Sequence, residues 1–346
     1  MQMTTIEHRQ YSLSREARTV LILIAITFVL KLIYFWYYYF GGSVPYADFQ
    51  RQLGDSAIYR DIAQAIATGD FWRQIQYFGR ESVVFYRAPL YPFVLAFFFK
   101  LFGQTVLPVY VFQLLVGCFN LWLVYWIARR LFSHPAGLIA MVLGAFYAPL
   151  VFKETKLVSV TLTIAFGLLT VVFLLRSQEA RPKRNWFVAG VFAGLGTLTW
   201  GGMILILPVL VVLWLLLRQH ITFKFVLIFV LGWFLSILPA TLHNVLVGND
   251  LVLINSNSGY TFYQGNNPAA NGTIIHPPEV YDSIALRLFR GRYPTGISDQ
   301  QQFDLLYAST IIKRTSPTRL SDTIKPSEAS NFWLRRGLTW ILRNPG

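Results

Sequence analysis

The sequence predicts an all-α fold, a polytopic membrane helix bundle, and three observations carry that prediction. Hydrophobic residues make up 55% of the 346-residue chain. Charged residues make up only 13%, where soluble domains carry about 25%. The apolar residues also gather in runs approaching the roughly 20 residues that a helix needs to cross hydrocarbon. Inside lipid every backbone N–H and C=O must be bonded within its own segment, which favours helices for such runs. The net charge is +14. In a soluble chain that balance would point to nucleic acid. Here it is expected to mark the cytoplasmic loops, and no nucleic-acid partner is expected. The single cysteine, Cys118, excludes an internal disulfide and a cysteine-cluster metal site. No internal repeat or low-complexity tract is evident.

Taken in order, the polar N-terminus gives way after Arg18 to an apolar run that ends near Phe40. The run is longer than the apolar part of a secretory signal and lacks a small-residue cleavage site, so it reads as a retained helix. Further spans are expected at 107–128, 136–152, 157–175, 186–200, 202–217 and 225–245, making about seven with 19–40. The run 89–102 lies between Arg87 and Gly103 and carries Pro89 and Pro92 in its first turns. It is too short to cross and reads as a helix lying at the interface. Orientation supports that choice. With Arg9, Arg15 and Arg18 in the cytoplasm, Arg129-Arg130, the loop from Arg176 to Arg184, and the loop from Arg218 to Lys224 all fall inside, as the positive-inside rule expects. If 89–102 crossed, those basic loops would face outward.

This topology makes 1–245 a transmembrane module, with a first extracytoplasmic loop at 41–106 carrying interfacial helices. Residues 246–346 form an extracytoplasmic segment leading to further helices expected beyond a truncated C-terminus. Trp333-Leu334-Arg335-Arg336 through Leu342 reads as another interfacial helix. The aromatic run Ile33 to Phe40 suits a headgroup belt.

Five polar stretches fall on the outer side. The first loop opens with Asp48 and continues with Gly54-Asp55-Ser56-Ala57-Ile58-Tyr59, where Ile58, Ile62, Ala65 and Ile66 have helical spacing. On its own Asp55 reads as a helix cap. The second stretch is Phe85-Tyr86-Arg87-Ala88-Pro89-Leu90-Tyr91-Pro92, whose bland reading is a snorkelling arginine. The third is Lys153-Glu154-Thr155-Lys156, otherwise a solvated turn. The fourth runs from Ser258 to Asn266-Asn267-Pro268, otherwise an ordinary turn. Lys31, inside the first span, is the fifth. One extracytoplasmic site could gather them. A carboxylate suits a general base on an acceptor hydroxyl or amine. Cations suit a leaving phosphate, and arginine does so through its two-pronged fork.

These residues resemble the membrane glycosyltransferases of the GT-C class. The likeness is closest to the bacterial group of protein-mannosyltransferase-like and aminoarabinose-transferase-like enzymes, glycosyltransferase family 39. The motifs come in order: Asp55-Ser56-Ala57-Ile58-Tyr59, Tyr86 to Pro92 with Leu101-Phe102-Gly103, Ala128-Arg129-Arg130-Leu131-Phe132, Tyr147-Ala148-Pro149-Leu150, and Gly265-Asn266-Asn267-Pro268-Ala269-Ala270-Asn271-Gly272. The resemblance implies a polyprenyl-phosphate-linked sugar donor, transfer outside the cytoplasm, and a bacterial inner-membrane location. It implies catalytic roles for Asp55 and Glu154, and donor-phosphate contacts from Arg87, Lys156, His243 and Lys31. Tyr59, Tyr86, Asn266 and Asn267 would shape the substrate groove. Two positions depart from the pattern: Trp200 stands where relatives often carry arginine, and His243-Asn244 stands where an Arg-Asn pair is expected. No resident cofactor or metal is expected, although Asp55 and Glu154 have the chemistry to share a divalent cation. The acceptor stays open among protein, lipid and glycan. Two rival readings are a transporter or flippase of lipid-linked sugars and a non-catalytic assembly subunit. Transporters place binding groups near the bilayer midplane on repeated halves, whereas charges here gather in loops.

Overall fold

The computed structural model describes residues 15–40, 55–69, 74–77, 80–82, 84–179, 181–217, 221–268, 270, 272 and 325–344. Asp48, Asn271 and the basic N-terminus around Arg9 fall outside them. The described residues form α1 (Arg15–Phe40), α2 (Asp55–Ala67), α3 (Leu90–Phe102), α4 (Leu107–Leu131), α5 (His134–Ala145), α6 (Ala148–Glu154), α7 (Val160–Arg176) and α8 (Pro182–Thr199). A 3-10 turn (Gly201–Leu205) follows, then α9 (Ile206–Leu216), α10 (Phe223–Leu246), α11 (Ser258–Gly265) and α12 (Pro326–Arg343). The fold is an all-α membrane bundle whose only described strands are a small antiparallel hairpin, β1 (Gln74–Tyr77) with β2 (Arg80–Ser82).

Each of the seven expected spans is helical. By length and composition Glu16–Tyr37, Leu107–Leu131 and Phe223–Leu246 can cross a membrane, and the bent pair α5–α6 would make a fourth crossing. α3, α7 and the stretch Gly201–Leu216 are apolar but shorter. Two expected spans are broken. The run 136–152 bends by 60° between α5 and α6. Tyr147 there is extended and Pro149 opens the next helix without an N–H to offer. The run 202–217 begins as a tight 3-10 turn over Gly201-Gly202 before α9 starts.

α1 runs against α4 along its length. Val20 packs with Leu121, Tyr125 and Met141 near one end, and Phe35 meets Tyr110 with ring centroids 5.3 Å apart near the other. α8 and α10 approach backbone to backbone. A Cβ on Gly190 would sit 2.0 Å from the Phe229 carbonyl oxygen, and one on Gly232 would sit 2.3 Å from that of Phe187. Small residues permit this close approach where lipid supplies no hydrophobic drive between helices. The Trp233 indole N–H donates to Thr197 Oγ1 at 3.0 Å across the same seam.

The two ends of the bundle differ in chemistry. At one end Arg129 pairs with Glu16 at 2.8 Å, Arg130 pairs with Glu179 at 2.6 Å, and the Arg176 guanidinium lies 5.4 Å from the Trp126 ring centre. The opposite end carries Lys31, Asp55, Arg87, Glu154 and the 250–257 segment.

The stretch expected as an interfacial segment is helical as α12, and one of its faces packs on protein. Trp333 is fully buried, packed edge-on against Tyr260 and tilted against Tyr263 of α11. A wedge so buried faces protein, not headgroups.

Candidate active site

The first loop of the bundle places α2 on α3 through an apolar stripe. Ile58 and Ile62 pack with Ile66 and Tyr86, while Tyr59 and Ala63 join Tyr91, Leu95 and Phe99. This packing sets Asp55, the first residue of α2, over the irregular segment that leads into α3. Arg87 Nη2 lies 2.5 Å from Asp55 Oδ1. The pair is open: the Asp55 side chain is 53% exposed and that of Arg87 is 21% exposed. The guanidinium also lies 5.5 Å from the Tyr86 ring centre, within cation–π range.

The segment that carries Arg87 is held at Phe85 by Asn244, a fully buried amide near the end of α10. Asn244 Oδ1 accepts the Phe85 backbone N–H at 3.0 Å, and its Nδ2 donates to the Val252 and Ile254 carbonyls at 2.9 and 3.1 Å. Ser256 N–H then donates to the Phe85 carbonyl at 2.9 Å. One side chain therefore ties the Arg87 segment to the segment that follows α10. Beside it the His243 ring stacks on Phe85 at 4.4 Å.

His243, Phe85, Pro89, Phe93, Leu198 and Leu246 belong to the lining of an apolar groove of about 440 Å³. Phe85 and Pro89 sit two residues either side of Arg87, so the groove runs beside the segment that carries the cation.

Behind Asp55 runs a buried polar chain. Burial pushes the Tyr59 hydroxyl above the ordinary tyrosine range, against the opposing pull of Arg87 and a hydrogen bond with Ser159. It is therefore neutral near pH 7. Tyr59 meets Tyr91 edge-on at 5.0 Å. The Tyr91 hydroxyl donates to Gln113 Oε1 at 2.5 Å, and Gln113 Nε2 donates to the carbonyls of Glu154 and Lys156 at 2.8 and 2.9 Å. Glu154 Oε1 in turn pairs with Lys31 Nζ at 2.7 Å, both side chains nearly closed to solvent at 6% and 4% exposure. The Glu154 carboxylate fits only because α4 has glycine there: a Cβ on Gly117 would stand 2.2 Å from Glu154 Oε1. Lys31 also borders an apolar cavity of about 280 Å³ between α1, α5 and α6.

The structure thus brings Asp55 and Arg87 together, with Tyr59 and Tyr86 beside them, and seats Lys31 on Glu154. The Lys156 ammonium lies 5.2 Å from the Phe152 ring centre. Asn266 and Asn267 lie at the far end of α11 from the Arg87 segment. Their amides cap that helix, Asn266 donating to Phe262 and Asn267 to Tyr263 and Gln264, each at 2.8–2.9 Å. Asp55 and Glu154 are each engaged by a separate cation rather than sharing a cation site. Among the described residues no three His, Cys, Asp or Glu side chains gather to hold a metal. Gln113, Tyr91, Ser159 and Asn244 were not singled out as site residues from the sequence. Gln113 and Asn120 stand as amides seven residues apart in an otherwise apolar run, which is the signal that could have found the first.

Residues 86–243, just under half the chain, match the family model described as dolichyl-phosphate-mannose-protein mannosyltransferase. Over that stretch the chain is similar to the GT-C membrane glycosyltransferases. Two proteins similar to it are both called undecaprenyl phosphate-alpha-4-amino-4-deoxy-L-arabinose arabinosyl transferase. One, from Pseudomonas aeruginosa strain LESB58, is 27% identical over 53% of the chain and 34% of its own length. The other, from strain UCBPP-PA14, is 26% identical over 54% of the chain and 34% of its own length. The chain therefore spans about a third of the length of the curated proteins it matches. No solved structure matches it. The family match starts at Tyr86-Arg87 and ends at His243, so Arg87 and most of the groove lining lie within it, while Phe85, Leu246, Asp55 and α11–α12 lie outside.

Proposed function

We propose that this chain transfers a sugar from a polyprenyl-phosphate donor to an acceptor on the extracytoplasmic face of a bacterial inner membrane. The observation that carries the reading is the Asp55–Arg87 pair, solvent-open and set beside an apolar groove. The groove takes the isoprenoid tail, whose apolar carbons match its lining. Arg87 exchanges Asp55 for the donor phosphate, which its planar fork suits. The freed Asp55 carboxylate takes the proton from the acceptor hydroxyl or amine. The acceptor atom bonds to the anomeric carbon, the bond from that carbon to the phosphate oxygen breaks, and polyprenyl phosphate leaves carrying the negative charge that Arg87 neutralises. Glu154 acts at a distance in this reading: with Lys31 it fixes the turn that Gln113 and Tyr91 connect to Tyr59.

Two further supports are the names of the relatives, which specify an undecaprenyl-phosphate sugar donor, and the charge asymmetry of the bundle. The arginine-rich end is assigned to the cytoplasm and the site end to the outside by the positive-inside rule. Cysteine labelling in a Cys118→Ala background tests the second: a cysteine placed within 177–179 should be reached only from the cytoplasmic side, and external labelling overturns the orientation.

The deciding experiment incubates the membrane-embedded protein with a radiolabelled sugar on polyprenyl phosphate. Transfer gives labelled acceptor and free polyprenyl phosphate in equal amounts. Label that crosses the bilayer still joined to its lipid identifies a flippase instead. Neutralisation is assigned to Arg87 rather than to a metal, so chelation by EDTA should leave the rate unchanged.

A further inference from the structure

A second site lies on α12, outside the family match. α12 is firmly seated on α11 and on the segment before it. Ser327 N–H donates to Asp250 Oδ2 at 2.8 Å, Gly259 N–H donates to Ser330 Oγ at 3.0 Å, and Trp333 fills the space between Tyr260 and Tyr263. That docking divides α12 into three faces. Ser330, Trp333 and Gly337 meet α11. Leu334, Leu338, Ile341 and Leu342 form an exposed apolar stripe. The third face presents Arg335, Arg336, Thr339 and Arg343 to a cavity of about 570 Å³, which Tyr263 and Trp340 also line. Its size falls within the roughly 300–1,000 Å³ of small-molecule sites.

Among the described residues that line this cavity, arginines outnumber carboxylates. Its one acidic lining residue, Glu328, is turned to the start of its own helix, where Oε2 accepts the Lys325 N–H at 3.2 Å. Among the described residues Arg335 and Arg343 make no ion pair. Arg336 is already positioned: its guanidinium carbon lies 5.5 Å from the Tyr263 ring centre and 5.8 Å from those of Phe332 and Trp333. A cation held against rings loses little further freedom when an anion arrives.

The combination narrows the ligand. An inorganic anion uses the arginines and leaves the rings idle. An apolar chain uses the rings and strands the arginines. A sugar ring carrying an acidic group uses both, laying its C–H face on an aromatic plane while the acid takes the guanidinium fork. Asn331 and Thr339 add side-chain donors and acceptors for hydroxyls. We propose that the α11–α12 cavity binds an acidic saccharide, a sugar bearing phosphate. Its further role, holding the acceptor, rests on the transferase reading; the binding itself does not.

The test uses the whole chain in nanodiscs of zwitterionic lipid, titrated calorimetrically with maltose 1-phosphate, maltose and inorganic phosphate. Maltose 1-phosphate should bind saturably and about tenfold or more tighter than either partial probe, because only it engages both arginine and ring. The double variant R335Q/R343Q, altered at two exposed positions, should weaken that binding by about tenfold or more while keeping its thermal unfolding midpoint. Trp340→Leu should weaken it through loss of the ring. Asp55→Asn should bind as the parent does, which separates this site from the transfer site. Equal affinity for inorganic phosphate, or equal binding by R335Q/R343Q, overturns the proposal. So does saccharide binding that is absent while R335Q/R343Q lowers attachment of the protein's outer face to phosphatidylglycerol vesicles, since that result makes the patch a membrane contact.

Discussion

Lys31–Glu154 and Asp55–Arg87 lie at the same end of the bundle and each join one carboxylate to one cation, yet solvent sees almost nothing of the first and half of the carboxylate of the second. Burial decides what each can do. Taking two charges out of water is costly, and a pair closed in this way persists only while both partners stay. Lys31–Glu154 is further fixed by the glycine slot on α4 and by Gln113, which grips the backbone on either side of Thr155. An open pair contributes little to stability, about 0–1 kcal/mol, and so can be exchanged for a ligand at little cost. The buried pair holds the frame; the open pair is free to change partners.

The largest effect expected from this contrast falls on the buried pair. Glu154→Gln leaves Lys31 charged, buried and unpaired, and should lower stability by about 3–5 kcal/mol. Thermal unfolding of the purified protein reads this directly. The double change Lys31→Met with Glu154→Leu should recover most of the loss, and a double variant as unstable as Glu154→Gln would break the account of the pair as a charge problem. Next in size is Gly117→Ala, whose added methyl must displace the Glu154 carboxylate and should cost about 1–3 kcal/mol, typical of overpacking. The same substitution in the Glu154→Leu background separates the slot from general helix effects. Gln113→Leu strips partners from a buried hydroxyl and two buried carbonyls and should cost about 1–3 kcal/mol. Asp55→Asn should move stability by about 1 kcal/mol or less, which is the sharpest form of the contrast.

The smallest effect is a pH effect. The Tyr59 hydroxyl has a folded-state pKa above its ordinary value of 10.0, chiefly through burial. A group raised in this way contributes stability that is complete below the unfolded value and is lost as pH climbs through the folded one. Stability measured between neutral pH and about 11 should therefore fall less steeply in Tyr59→Phe than in the parent.

Much of the frame was legible in the sequence because apolar runs of near-span length leave the chain few options. All seven expected runs are helical, and the short run after Pro89 is a 13-residue helix. The breaks were harder to read. Nothing in mean hydropathy marks Tyr147-Ala148-Pro149 as a 60° bend; only the proline, with its missing N–H, hints at it. Within the candidate site, Asp55 and Arg87 stood out because charges are scarce here. Their contact depends on α2 packing on α3, a tertiary event. Asn244 went unrecognised as a clamp because its three bonds reach residues 8 to 159 positions away. Asn266 and Asn267 were named as groove residues by the resemblance, and the local bonds that their amides make to the end of α11 depend on the helix stopping there.

The central claim is that the open pair performs the transfer chemistry, and the rate of Asp55→Asn tests it most directly. With wild-type and variant protein matched for thermal stability, transfer of radiolabelled sugar from polyprenyl phosphate should fall by about 10²–10⁴-fold, the range expected for loss of a general base. Equal rates for the two proteins would contradict the account.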